Sequence, residues 1–98
     1  MVFFLVTKFG AILLTKLVTR VGRCNSDVKL HSLACSQRHG SIIQRSDGTV
    51  VIINHSDDEF IFINDYRLEP AQSITLSSGD VLSFSGDESF RFIETDYL

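Results

Sequence analysis

Cysteine is too scarce in this chain to hold a fold together: Cys24 and Cys35 are the only two, enough for one disulfide at most. Small secreted scaffolds carry more, so a reducing compartment is expected. Positive charge is lacking too. The 98 residues carry a net charge of -3, which excludes the broad basic surface of a nucleic-acid grip but leaves room for a local site for one phosphate. Long, clean apolar runs are also missing. Met1–Val18 comes nearest, yet Lys8, Gly10 and Lys16 break it, no basic residue precedes it and no small-x-small cleavage site follows it. It reads as two strands rather than a leader or membrane anchor. No stretch shows helical periodicity over the length a stable helix needs, and there is no repeat or low-complexity tract. The single proline, Pro70, falls between the apolar runs, where its missing N–H interrupts no ladder.

What the chain does have is β-branched and aromatic residues in short runs, separated by Gly, Asp, Asn and Ser. The runs are Val2–Thr7, Ile12–Val21, Gly40–Gln44, Val50–Asn54, Phe60–Ile63, Ser73–Leu76, Val81–Ser85 and Phe90–Glu94. Asp47-Gly48 lies between two of them and predicts a hairpin, because both residues tolerate positive φ. Ser78-Gly79-Asp80 and Ser85-Gly86-Asp87 are expected turns. With 44% apolar residues the chain can bury one core. The expected fold is an all-β, antiparallel β-sandwich. In the first run Phe3 and Leu5 share one face while Val2, Phe4 and Val6 share the other. Either both faces are covered within one molecule, or the second face meets another protein, a second copy included.

Reaction chemistry finds little footing. Ser36 and His39 lack a glycine-flanked nucleophile elbow and an acid placed to orient the histidine. Cys24, His31, Cys35 and His39 match no compact zinc spacing, and Asp57-Asp58-Glu59 lacks the calcium-loop pattern. No enzyme activity, metal or cofactor is expected. Asn54-His55-Ser56 fits a glycosylation acceptor, a tripeptide that arises by chance and means nothing in a cytosolic or nuclear protein.

Three segments, in order, resemble the forkhead-associated (FHA) family. Val21-Gly22-Arg23 with Asn25-Ser26-Asp27-Val28-Lys29-Leu30 looks like its glycine–arginine turn and the strand after it. Ser36-Gln37-Arg38-His39 looks like its serine–x–x–histidine loop. Phe62-Ile63-Asn64 and Leu76-Ser77-Ser78-Gly79-Asp80-Val81-Leu82-Ser83-Phe84 look like its late section, closed by Phe90-Arg91-Phe92. The resemblance implies that residues 1–98 form a single FHA domain, of the FHA and SMAD-like sandwich type, at the amino-terminal part of a larger protein. It implies an interaction module for protein partners, with loops at one end presented to threonine-phosphorylated peptides.

Residue by residue, the resemblance makes Arg23 the bidentate fork for the phosphate, Ser36 the hydroxyl donor beside it, and Gln37 a neutral neighbour where many members carry Lys or Arg. Gly22 would allow the tight turn, His39 would brace the loop, and Asn64 belongs to the late section. Arg38 is expected to aim elsewhere because the backbone alternates. The family's asparagine–glycine pair is replaced by Glu59 and Phe60, which puts an acceptor and a negative charge where a donor is needed. Impaired phosphothreonine binding follows, with a working reader through Arg23 and Ser36 as the alternative. A further resemblance, to the amino-terminal FHA domains of mediators of DNA-damage checkpoint signalling, implies a nuclear protein that forms a homodimer, for which Val2, Phe4 and Val6 are the candidate face. No direct contact of this domain with nucleic acid or membrane is expected.

Overall fold

Alternation along the first strand decides how the whole sandwich is built. Phe3 and Leu5 are buried, Val2 and Phe4 half-buried, and Val6 is 38% exposed. The computed structural model describes residues 1–84 and 88–96. Its strands are β1 (Val2–Thr7), β2 (Gly10–Leu13), β3 (Val18–Gly22), β4 (Val28–Lys29), β5 (Gly40–Gln44), β6 (Val50–Asn54), β7 (Ile61–Ile63), β8 (Tyr66–Leu68), β9 (Ser73–Thr75), β10 (Val81–Ser83) and β11 (Ser89–Thr95). No helix forms among the described residues. A six-stranded sheet runs β2-β1-β11-β10-β7-β8, and a five-stranded sheet runs β4-β3-β5-β6-β9.

The two sheets enclose one core. Leu5, Leu82 and Phe92 from the first sheet and Ile42 and Ile52 from the second are almost wholly buried, each stabilising the fold by roughly 1.5–3 kcal/mol. The Phe3 and Phe92 rings stack with centroids 5.7 Å apart. β1 lies between β2 and β11 with Phe4 opposite both Leu13 and Ile93, so these three share the outer face.

Two expectations need correction. The run Ile12–Val21 is not one strand: the chain leaves the six-stranded sheet after Leu13 and joins the other at Val18. Gln44 stabilises that corner, its Nε2 donating to the carbonyls of Leu14 (3.2 Å) and Lys16 (2.8 Å). Second, Tyr66–Leu68 pairs with β7 as a strand although its sequence carries no strand run. The β-sandwich itself forms as expected, antiparallel in every registered pair but β3–β4, which runs in parallel through Val21↔Val28.

The Asp47-Gly48 hairpin forms as expected. Gly48 has φ 89, and Asp47 Oδ1 accepts from the Thr49 amide at 2.9 Å and its hydroxyl at 2.6 Å. Ser78-Gly79-Asp80 is a turn with Gly79 at φ 98. Pro70 sits in the connection between β8 and β9. The turn expected at Ser85-Gly86-Asp87 lies outside the described residues.

Candidate functional site

Gly22, the last residue of β3, is where two loops must come closest. A Cβ there would lie 2.1 Å from the Gln37 carbonyl oxygen and 2.9 Å from Ser26 Oγ. Its φ is not positive. The reason for glycine is thus the close approach of the β4–β5 loop, and not a tight turn as the motif implied. That approach is fixed by backbone bonds: the Arg23 amide donates to the Ser36 carbonyl at 3.2 Å and the Cys24 amide to the Gln37 carbonyl at 3.3 Å.

Arg23 and Ser36 are therefore side by side. Both are half-buried. Arg23 Nε donates to the Cys35 carbonyl at 2.6 Å, which orients the guanidinium, and among the described residues no ion pair occupies it. A half-buried arginine anchored through Nε and free of a carboxylate can present its Nη groups to an oxyanion.

His39 joins this loop to the β6–β7 connection. It is fully buried, its Nδ1 accepts from the Ser36 amide at 3.3 Å, and its Nε2 lies 3.2 Å from the Phe60 carbonyl. The Phe60 contact requires a proton on Nε2, which leaves Nδ1 free to accept. Burial pushes the imidazole below its ordinary value, outweighing the Phe60 bond and the Glu59 charge that act the other way. With both nitrogens engaged, His39 can neither ligate zinc nor act as a base.

A residue of equal weight was missed by sequence reasoning. Asn54 is fully buried, and its Nδ2 donates at 2.9 Å to the carbonyls of Glu59 and Leu68. Its Oδ1 accepts from the Ser56 amide at 3.0 Å and lies 2.7 Å from the Ser56 hydroxyl. The β6–β7 loop is thus folded around one amide. The same burial removes Asn54 as a glycosylation acceptor.

Glu59 is half-buried and occupies this loop, held by its backbone: its amide donates to Ser56 Oγ at 3.2 Å. Asp57 and Asp58 are exposed beside it. Asn64 begins the β7–β8 turn with φ 56 and latches it to β10, its Oδ1 accepting from the Val81 amide and its Nδ2 donating to Asp80 Oδ1, both at 3.0 Å. Gln37 and Arg38 are exposed and line a separate groove with Arg20 and His55. Of the three candidate peptide contacts, only Arg23 and Ser36 are joined directly.

Val2, Phe4 and Val6 lie on the outer face of the six-stranded sheet. Val6 faces Ala11 and Arg91, and Phe4 faces Leu13 and Ile93. Val2, Phe4 and Ile93 are half-buried in this strip. Val6 and Leu13 are each 38% exposed.

The family model for the FHA domain matches residues 19–85. Comparison with the curated proteins gives no match. Among solved structures, Mycobacterium tuberculosis EmbR in complex with a low-affinity phosphopeptide is similar at 25% identity and TM-score 0.79. That match covers 94% of this chain but only 24% of the EmbR chain. The FHA domain of an Arabidopsis thaliana hypothetical protein has TM-score 0.88 at 22% identity, over 99% of this chain and 88% of its own. The N-terminal FHA domain of S. cerevisiae Rad53, in complex with a phosphothreonine peptide, has TM-score 0.82 at 18% identity, covering 98% and 95%.

Proposed function

Because the chain belongs to the FHA domain family, whose members are phosphothreonine-binding interaction modules, we propose that it docks proteins in two ways: weakly through its loop end, and with a second copy of itself through β1. The observation that carries the second mode is the apolar strip Phe4–Leu13–Ile93, flanked by Val2 and Val6, on an outer sheet face that an isolated domain would fill with polar residues. A two-fold axis through Phe4 would set this strip against itself, closing the assembly at two copies. Sedimentation at tens of micromolar tests it. A dimer that Val6→Lys converts to monomer is expected; a wild-type monomer at that concentration overturns the reading.

Phosphothreonine reading is favoured by a separate observation, the hydrogen-bonded adjacency of Arg23 and Ser36. Glu59 opposes it, offering a carboxylate where the family places an amide. In the similar EmbR structure the phosphopeptide is of low affinity. Weak, Arg23-dependent binding is the expected result. Calorimetric titration of threonine-phosphorylated and unphosphorylated peptides checks this: loss of all phosphate dependence in Arg23→Ala is expected, and equal affinity for both peptide forms overturns it.

At a finer level the chain resembles mediators of DNA-damage checkpoint signalling, fly mutator 2 among them. The reading is a nuclear, non-enzymatic scaffold module in chromatin and damage-response complexes. Localisation of the tagged full-length protein before and after DNA breakage tests that role, and a cytoplasmic protein that ignores damage refutes it.

A further inference from the structure

Three basic side chains, on or beside three adjacent strands, line one groove. Arg20 lies on β3, Arg38 just before β5 and His55 just after β6, and these strands are neighbours in the five-stranded sheet. The groove, about 390 Å³, also takes in Ser26, Gln37 and Ser41, and no carboxylate lines it. Among the described residues Arg38 makes no ion pair. Asp27 Oδ2 lies 3.9 Å from Arg20 Nε, but that carboxylate is engaged more closely by Lys16 and by the Arg20 amide at 2.9 Å. Asp57 and Asp58 follow His55 in the chain without lining the groove.

The juxtaposition of Arg38 with His55 is the second observation. His55 is exposed, yet partial desolvation by the groove wall and then the Arg38 charge both push its imidazole below the ordinary value. Two groups that repel when charged, held beside hydroxyl and amide groups with no carboxylate among the lining residues, suit a multivalent oxyanion. A phosphoryl group supplies close to two negative charges and three acceptors, which matches this set better than a carboxylate.

We propose that the groove is a second phosphoryl seat, taking another phosphorylated residue of a docked peptide through Arg20, Arg38 and His55, separately from Arg23 and Ser36. It abuts the first site, since Gln37 lines the groove and follows Ser36 directly. The inference rests on the phosphopeptide-docking reading for its ligand, but not on Arg23 for its binding.

Inorganic phosphate, titrated against chloride at matched ionic strength and followed by ¹⁵N–¹H NMR, tests the seat directly. Saturable shifts at His55, Gln37 and Ser26 are expected in the wild type and in Arg23→Ala. Arg38→Ala, at an exposed position, should weaken them about tenfold or more. The His55 titration midpoint should rise when phosphate is bound. Absence of saturable shifts at His55, or their loss in Arg23→Ala, overturns the seat. A second arm compares singly and doubly phosphorylated peptides. Arg23-dependent binding of both at equal affinity overturns the seat and leaves the reader intact. Phosphate saturation at His55, with no phosphothreonine peptide bound at all, supports the seat and overturns the reader.

Discussion

Replacing Asn54 by alanine should cost the domain a large part of its stability. The side chain is fully buried and serves the Glu59 and Leu68 carbonyls and the Ser56 amide. Ser56 Oγ lies 2.8 Å from the Glu59 carbonyl and can retain that partner, so the Ser56 amide is left unpaired while the Leu68 carbonyl, which belongs to the β7–β8 ladder, loses one donor. At about 1–3 kcal/mol for the unsatisfied buried amide and about 0.5–1.5 kcal/mol for the lost hydrogen bond, the loss comes to about 1.5–4.5 kcal/mol. A domain of this size has about 5–15 kcal/mol in total, so the variant would be marginal. Asn54→Asp separates hydrogen bonding from volume. It fills the same space but turns an acceptor toward two carbonyls, so near neutral pH it should lose at least as much as alanine does. Urea unfolding followed by far-ultraviolet dichroism measures both, with the slope m unchanged and the midpoint lowered. Gln37→Ala, at an exposed side chain, is the control and should stay within about 0.5 kcal/mol of wild type. A loss below about 1 kcal/mol for Asn54→Ala, or an Asp variant as stable as wild type, would refute the account of the loop.

The remaining expectations are shorter. Gly22→Ala places a methyl group 2.1 Å from a carbonyl oxygen of the facing loop, so Arg23 and Ser36 should separate; a melting scan should show a loss of about 1–3 kcal/mol or more, and an unchanged midpoint would contradict the contact. Stability should fall as pH drops below about 6.5, because the folded values of His39 and His55 are depressed and the unfolded chain then binds more protons. Asp27 and Asp47, also depressed but from 3.8, add to that loss only in stronger acid; urea midpoints at pH 8, 5.5 and 3 read the sequence of events. Glu59→Asn should strengthen binding of a phosphothreonine peptide about tenfold, the worth of one hydrogen bond and one removed repulsion, or about 1.4 kcal/mol. Calorimetry that finds no gain would mean that Glu59 is not what weakens the site.

Much of the sandwich was legible because strand period and turn chemistry are local. Val2–Thr7, Gly40–Gln44 and Val50–Asn54 have the bounds that their alternation implied, and Asp47-Gly48 turns where its tolerance of positive φ allows. Tyr66–Leu68 was not legible. Its strand exists because the Asn64 latch folds it back on β7, a tertiary cause that three residues cannot announce. Asn54 looked like part of a surface tripeptide, since nothing in one dimension says that Glu59 and Leu68 return to meet its amide. Arg38 was expected to point away from Arg23. Its company with Arg20 and His55 depends on the registers Arg20↔Ser41 and Ser41↔Ile53, which no single strand encodes.

The loop end is ordered by residues that would not touch a ligand. His39 spans from the Ser36 amide to the Phe60 carbonyl, and Asn54 and Ser56 hold Glu59 by its backbone. The side chain of Glu59 takes no part in those bonds, so the loop need not change shape when that side chain changes. The weak phosphopeptide binding proposed above would accordingly be a matter of what three side chains offer, Arg23, Ser36 and Glu59, on a surface already set in place. Little ordering entropy remains to be lost on docking, and this is why one substitution at Glu59 is expected to alter affinity without altering stability. The outer face of β1 obeys the same logic from the other side of the molecule. Its strands are fixed by the core through Phe3, Leu5 and Phe92, so Phe4 and Val6 are displayed on a rigid sheet, and a second copy could bury them without refolding either partner.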